Sequence, residues 1–97
     1  ENAVENAAVV GRYIVDQLRA KLADKNVQVR GFGMMIGIQL PKDCAKLVAI
    51  ARDQYQLIIN VTAGSVVRLL PPLNMTKEQA DELLKRLVPA IQDFLTA

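Results

Sequence analysis

The segment 57–73, LIINVTAGSVVRLLPPL, leaves a folding chain few choices. Two apolar runs, 57–61 and 65–70, are joined by Thr62, Ala63 and Gly64, the small residues that a turn needs. Pro71 and Pro72 close the second run, because a proline has no N–H to give to a ladder. The pattern predicts a β-hairpin. One residue in it breaks the apolar character: Arg68, with Val66 and Val67 before it and Leu69 and Leu70 after it. A strand that only fills a core has no use for a guanidinium. The planar fork of donors suits a carboxylate or a phosphate, and it stays charged at any pH where proteins are folded. Arg68 is therefore the candidate anion-binding residue; the plainer alternatives are a strand arginine reaching solvent or an ion pair to another domain.

The rest of the chain supplies elements that can cover such a hairpin. Over 2–23, apolar residues at Val4, Ala8, Gly11, Val15, Leu18 and Leu22, widened by Ala7 and Ile14, form one stripe, with Arg12, Asp16, Arg19 and Lys21 off it. This predicts an amphipathic helix whose alanine-rich first half suits close packing against a neighbour. The segment 27–40, VQVRGFGMMIGIQL, reads as a strand interrupted at Gly31 and Gly33 and resumed with Ile36, Ile38 and Leu40 on one side. Its glycines permit a kink, a tight hairpin or a close backbone approach, and a cleft-lining segment is the functional alternative. No Lys-Ser/Thr pair follows them, so a phosphate loop is not indicated. Asp43 is expected to cap a helix running to about Tyr55, with Cys44 on its apolar face as a buried, inert thiol. Thr76 and Gln79 have the spacing of a capping box ahead of a third helix, whose stripe is Ala80, Leu83, Leu84, Leu87, Val88, Ile91 and Leu95. Pro89 inside that helix is expected to kink it.

Helix, strand pair, helix, strand pair, helix on short connections predicts an α+β two-layer domain: a small, mainly antiparallel sheet with helices on one face. At 97 residues the chain is one domain, and with no Trp and 4% aromatics its core must be aliphatic. The net charge of +2 comes from scattered basic residues, which gives no support to nucleic-acid binding. With no His and a single Cys, neither a zinc site nor an internal disulfide is expected. No apolar run is long enough to span a membrane, and the expected compartment is the cytoplasm. The same inventory holds no activated nucleophile and no lysine placed in a buried pocket, so catalytic residues are expected to be none. The chain opens on Glu1 rather than Met and is expected to be a piece of a longer protein.

The segments VRGFGMMIGIQL and LIINVTAGSVVRLLPPLNMTKEQADELLKRL, with a helix between them, resemble the C-terminal small domain of the class III pyridoxal-phosphate aminotransferases, acetylornithine aminotransferases above all. The likeness runs from Val29 to Leu87 and is most specific from Asn60 to Asn74. Phe32 and Gln39 depart from the family pattern, at positions not expected to touch the site. The resemblance implies a fold-type I small domain over 27–97, with 1–26 as the helix leading from a large domain. It implies that Arg68 receives a substrate carboxylate, as amino donor and 2-oxoglutarate alternate in one pocket. It also implies that pyridoxal phosphate is bound by the large domain, that the full enzyme is a homodimer, and that it serves arginine or lysine biosynthesis. A stand-alone α+β module sensing an amino acid or another anion through Arg68 is the alternative, and a ligand-free interaction domain is a third. An exposed apolar patch of the kind a partner domain covers would separate them.

Overall fold

The computed structural model describes residues 3–96; Glu1 and Asn2, the start of the expected first helix, lie outside the described residues. The elements are α1 (Ala3–Lys21), β1 (Gln28–Phe32), β2 (Met35–Gln39), α2 (Leu47–Tyr55), β3 (Asn60–Thr62), β4 (Val66–Leu69) and α3 (Lys77–Thr96). The four strands form one antiparallel sheet in the order β1-β2-β4-β3. The expected α+β architecture is what the chain adopts.

Alternation along the strands separates the two faces of the sheet. Val29, Ile36, Ile38, Val67 and Leu69 point inward and are buried, while Gln28, Arg30, Phe32, Met35 and Arg68 point outward and are exposed. The inward set joins Ile14, Leu18 and Leu22 from α1 and the segment just after it, Leu47 and Ala51 from α2, and Leu84, Leu87 and Ile91 from α3 in one aliphatic core. Burying each of the larger side chains stabilises the fold by about 1.5–3 kcal/mol. α1 packs on β1 and β2, and α3 packs against both α1 and α2. The outward side chains Arg30, Phe32, Met35 and Arg68 remain exposed on the other face.

Gly11 of α1 and Gly31 of β1 serve close approach. A Cβ at Gly11 would sit 2.0 Å from the carbonyl oxygen of Gly33, and one at Gly31 would sit 2.6 Å from Val15 Cγ2. The neighbour that the small residues of α1 were expected to meet is thus the β1–β2 hairpin of this same chain.

Two local expectations need correction. Asp43 does not cap α2: its Oδ1 accepts from the Ala45 N–H at 3.0 Å, which tightens the turn before the helix. The helix itself starts at Leu47 after Lys46, whose side chain makes no capping bond. The second hairpin is also shorter than its apolar runs. Gln56 takes a left-handed conformation, φ 54°, that ends α2 and delays pairing until Asn60. The hairpin turn uses φ 53° at Ala63 and 77° at Gly64. The loop after β2 anchors it, with Cys44 N–H donating to Gly64 O at 2.8 Å and Leu40 N–H to Ser65 O at 2.9 Å.

The capping box at α3 forms in both directions, with Gln79 N–H donating to Thr76 Oγ1 at 3.1 Å and Thr76 N–H to Gln79 Oε1 at 3.0 Å. Pro89 lies within α3 and does not end it. Replacing Thr76 by Ala leaves one of those donors to water and is expected to lower unfolding free energy by about 1 kcal/mol. Urea unfolding of the chain and its variant, compared at equal slope, measures this.

Candidate functional site

Antiparallel register places four residues in one row across the open face: Arg30, Gly37, Arg68 and Asn60. Arg68 is exposed in the middle of this row. Its Nε reaches Thr62 Oγ1 at 3.4 Å, a long contact that leaves the two terminal nitrogens without a partner among the described residues. The ion pairs among the described residues are Arg12–Asp16, Arg52–Asp53 and Arg86–Glu82. None involves Arg68. A strand guanidinium with both terminal amino groups unengaged can receive an anion in bidentate fashion.

Arg68 stands between two open recesses. One, of about 330 Å³, is lined by Arg30, Phe32, Met35, Gly37, Gln39 and Val66 together with Arg68. The other, of about 430 Å³, is bounded by Ile58, Ile59, Asn60, Thr62 and Leu70. Phe32 and Gln39, expected away from the site, line the first recess with Arg68. Gln39 is held there by its Nε2, which donates to Ser65 Oγ at 2.7 Å and to Leu40 O at 3.0 Å. No acidic residue lines either recess.

Arg30, Gly37 and Gln39 are the members of this surface that reading along the chain did not select. The alternation of β1 and β2 puts Arg30 and Gln39 on one face, but their neighbourhood with Arg68 follows only from β2 pairing with β4 across the α2 crossover. No feature local to either segment announces that pairing.

Cys44 is fully buried, and burial, aided by the nearby Asp43 carboxylate, pushes its thiol pKa up, so it carries little thiolate. Tyr13 lies far from Arg68 in sequence and donates its hydroxyl to Asp81, which raises the phenol pKa, while Lys77 sits over its ring, 4.9 Å from the centroid. These are contacts between α1 and α3. Among the described residues there is no buried charged side chain, and every lysine is exposed or half-exposed. These residues therefore do not fit a cofactor that must be held covalently by a lysine inside a closed pocket. No group of three or more His, Cys, Asp or Glu that could hold a metal occurs among the described residues. No helix among them is long and apolar enough to cross a membrane.

A second surface adjoins the site. Val4, Phe32, Met35, Leu70 and Leu73 are exposed by 76%, 86%, 57%, 74% and 52%. With Ala8 and Pro71 they line one apolar groove of about 370 Å³ where the start of α1, the β1–β2 turn and the segment after β4 converge. Side chains this apolar and this exposed, grouped together, are the kind of surface that suits contact with another body.

Residues 1–91 match the family model "Aminotransferase class-III". Among curated relatives, acetylornithine aminotransferase 1 of Bordetella parapertussis is 42% identical over 97 residues, covering 98% of this chain and 24% of the relative. Acetylornithine aminotransferase of Streptococcus mutans is 45% identical over 85 residues, covering 84% and 21%. Among solved structures, ornithine delta-aminotransferase of Plasmodium falciparum superposes with a TM-score of 0.86 at 30% identity, covering 95% of this chain and 25% of that one. N-acetylornithine aminotransferase of Stenotrophomonas maltophilia does so with 0.76 at 31%, covering 95% and 27%. The chain thus spans about a quarter of the length of the relatives it matches.

Proposed function

We propose, from the premise that this chain belongs to the class-III aminotransferase family, that it is the substrate-carboxylate-binding small domain of an acetylornithine or related ω-amino transaminase. The observation that carries the reading is Arg68, exposed on the open face of the sheet with its terminal nitrogens unengaged and no carboxylate paired to it among the described residues. In this reading Arg68 holds a carboxylate of the amino donor in one half-reaction and of 2-oxoglutarate in the other. A charge-assisted contact of this kind contributes about 1.5–3 kcal/mol, and its catalytic effect lies in fixing where the reacting nitrogen or carbonyl sits.

The remaining machinery belongs to a large domain of the same polypeptide. Pyridoxal phosphate, which supplies the electron sink for amino transfer, is held there, since this chain has no lysine suited to it. Residues 1–26 lead from that large domain and 27–97 form the small one. The apolar groove lined by Val4, Met35 and Leu73 is the surface the large domain covers, which favours this reading over a stand-alone anion sensor with a polar exterior. The full enzyme works as a cytoplasmic homodimer in arginine or lysine biosynthesis.

The division of labour has a direct test. The purified chain, mixed with pyridoxal phosphate and reduced with borohydride, is expected to show no stoichiometric lysine label by mass spectrometry and no transamination of acetylornithine. The complete polypeptide should transfer the amino group before reduction, and after reduction it should carry one label outside these residues. One specifically labelled lysine among Lys21, Lys25, Lys42, Lys46, Lys77 and Lys85 would sink the assignment.

A further inference from the structure

We propose that Asn6 is a positioning residue for the Arg68 site: its side-chain amide fixes the segment after β4 to α1 and, through Leu70, holds one wall of the recess beside Arg68 in place. The inference rests on the reading of Arg68 as a carboxylate holder. Asn6 lies near the start of α1 and is half-buried. Its Nδ2 donates to the carbonyl oxygen of Leu73 at 2.8 Å and to that of Met75 at 3.1 Å. An Asn amide has two N–H donors, and here one backbone segment takes both.

That segment has little else of its own to hold it. Pro71 and Pro72 have no N–H and cannot extend the pairing of β4, and the Met75 N–H turns back on Pro72 O at 3.1 Å. Leu70 and Leu73 are exposed rather than packed in the core. The two prolines nevertheless make the link stiff, since each fixes its own φ and confines the residue before it to extended conformations. A displacement of Leu73 is therefore passed on to Leu70. Leu70 follows β4 two residues after Arg68, and both are exposed while Leu69 between them is buried, as strand alternation requires. Its side chain borders the recess of about 430 Å³ that contains Arg68, and it also lines the apolar groove with Val4 at the start of α1. Without the Asn6 amide that wall is free to shift, and a ligand on Arg68 loses a fixed apolar boundary. The bond to Leu73 is exposed and the bond to Met75 half-buried, so water can replace the amide and the fold should survive its loss.

A double-mutant cycle on the full-length protein tests this, with Asn6→Leu, which keeps the shape and removes the donors, and Leu70→Ala, which removes the wall itself. Each single change is expected to raise KM for acetylornithine and for 2-oxoglutarate about fivefold and to leave kcat within about twofold, with melting temperatures close to the parent's. Because both act on one wall, the double variant should be little worse than either single one. Parental KM values in Asn6→Leu, or effects of the two changes that multiply, would overturn the role of Asn6. Parental KM values in Leu70→Ala would overturn it as well, whether or not Asn6→Leu folds. Arg68→Ala measured beside them separates the two claims: if it is impaired in those cases, the carboxylate reading of Arg68 stands without Asn6. An Arg68→Ala protein with parental kcat/KM would overturn that reading, and the role of Asn6 with it.

Discussion

Gly11→Val is expected to cost the fold about 3 kcal/mol, a large part of what a domain of this size has. The position lies inside α1, where glycine is a poor helix former, so propensity alone favours replacing it. Packing decides otherwise. The first atom of any side chain at this position would stand 2.0 Å from a backbone carbonyl oxygen, that of Gly33, and a backbone atom at a hairpin turn cannot rotate away. Either α1 lifts from the hairpin, opening the contacts of Ile14 and Leu18 with the sheet, or the turn distorts. Overpacking typically costs about 1–3 kcal/mol, and contact with backbone places this case at the upper end. Gly37→Ala is the control, because its added methyl meets only Val66 at 3.7 Å and should leave stability within about 1 kcal/mol of the parent. Urea unfolding of the two variants in parallel measures the difference. A Gly11→Val chain as stable as the parent would mean that α1 does not lie against the hairpin in this way.

The second large effect is on activity. Arg68→Lys and Arg68→Ala in the full-length protein are expected to lower kcat/KM for acetylornithine and for 2-oxoglutarate by ~10-fold to a few hundred-fold, the equivalent of about 1.5–3 kcal/mol per lost contact. Lysine keeps the charge and loses the bidentate fork, so the carboxylate is held loosely and the reacting atom wanders from its place. The fold should survive both changes, because Arg68 is exposed and contributes one long contact to Thr62. Steady-state kinetics with each substrate varied in turn, beside thermal melting of each variant, distinguishes lost positioning from lost structure.

Much of this was readable along the chain where the signal is local. The capping box at Thr76 and Gln79 needs only its own four residues, and it forms as the spacing implies. The stripe of α3 depends on helical period alone, and Ala80, Leu84, Leu87 and Ile91 are its buried members. Arg68 stood out because a charged residue flanked by Val and Leu has no local explanation. Asp43 misled because a capping residue and a turn-forming one look alike in sequence; the bond to Ala45 N–H is made two residues on, ahead of the helix. Val4 and Ala8 misled in another way, since both sit on the apolar stripe of α1 and yet are exposed, at the end of the helix that borders the uncovered groove. The placement of Arg30 beside Arg68 was least legible. It depends on β4 inserting between β2 and β3, a long-range choice that brings residues distant in sequence into one row.

The central claim is that Arg68 holds the carboxylate of both substrates in turn, and single-turnover spectroscopy addresses it most directly. Full-length protein with cofactor bound is mixed rapidly with the amino donor, and its amino form with 2-oxoglutarate, for the parent and for Arg68→Ala. The absorbance of the cofactor is followed in each. The expected result is that both half-reactions slow, each by ~10-fold to a few hundred-fold at subsaturating substrate, while the resting spectrum of the cofactor is unchanged. Unchanged rates in both half-reactions would contradict the claim and leave Arg68 a strand arginine that faces solvent.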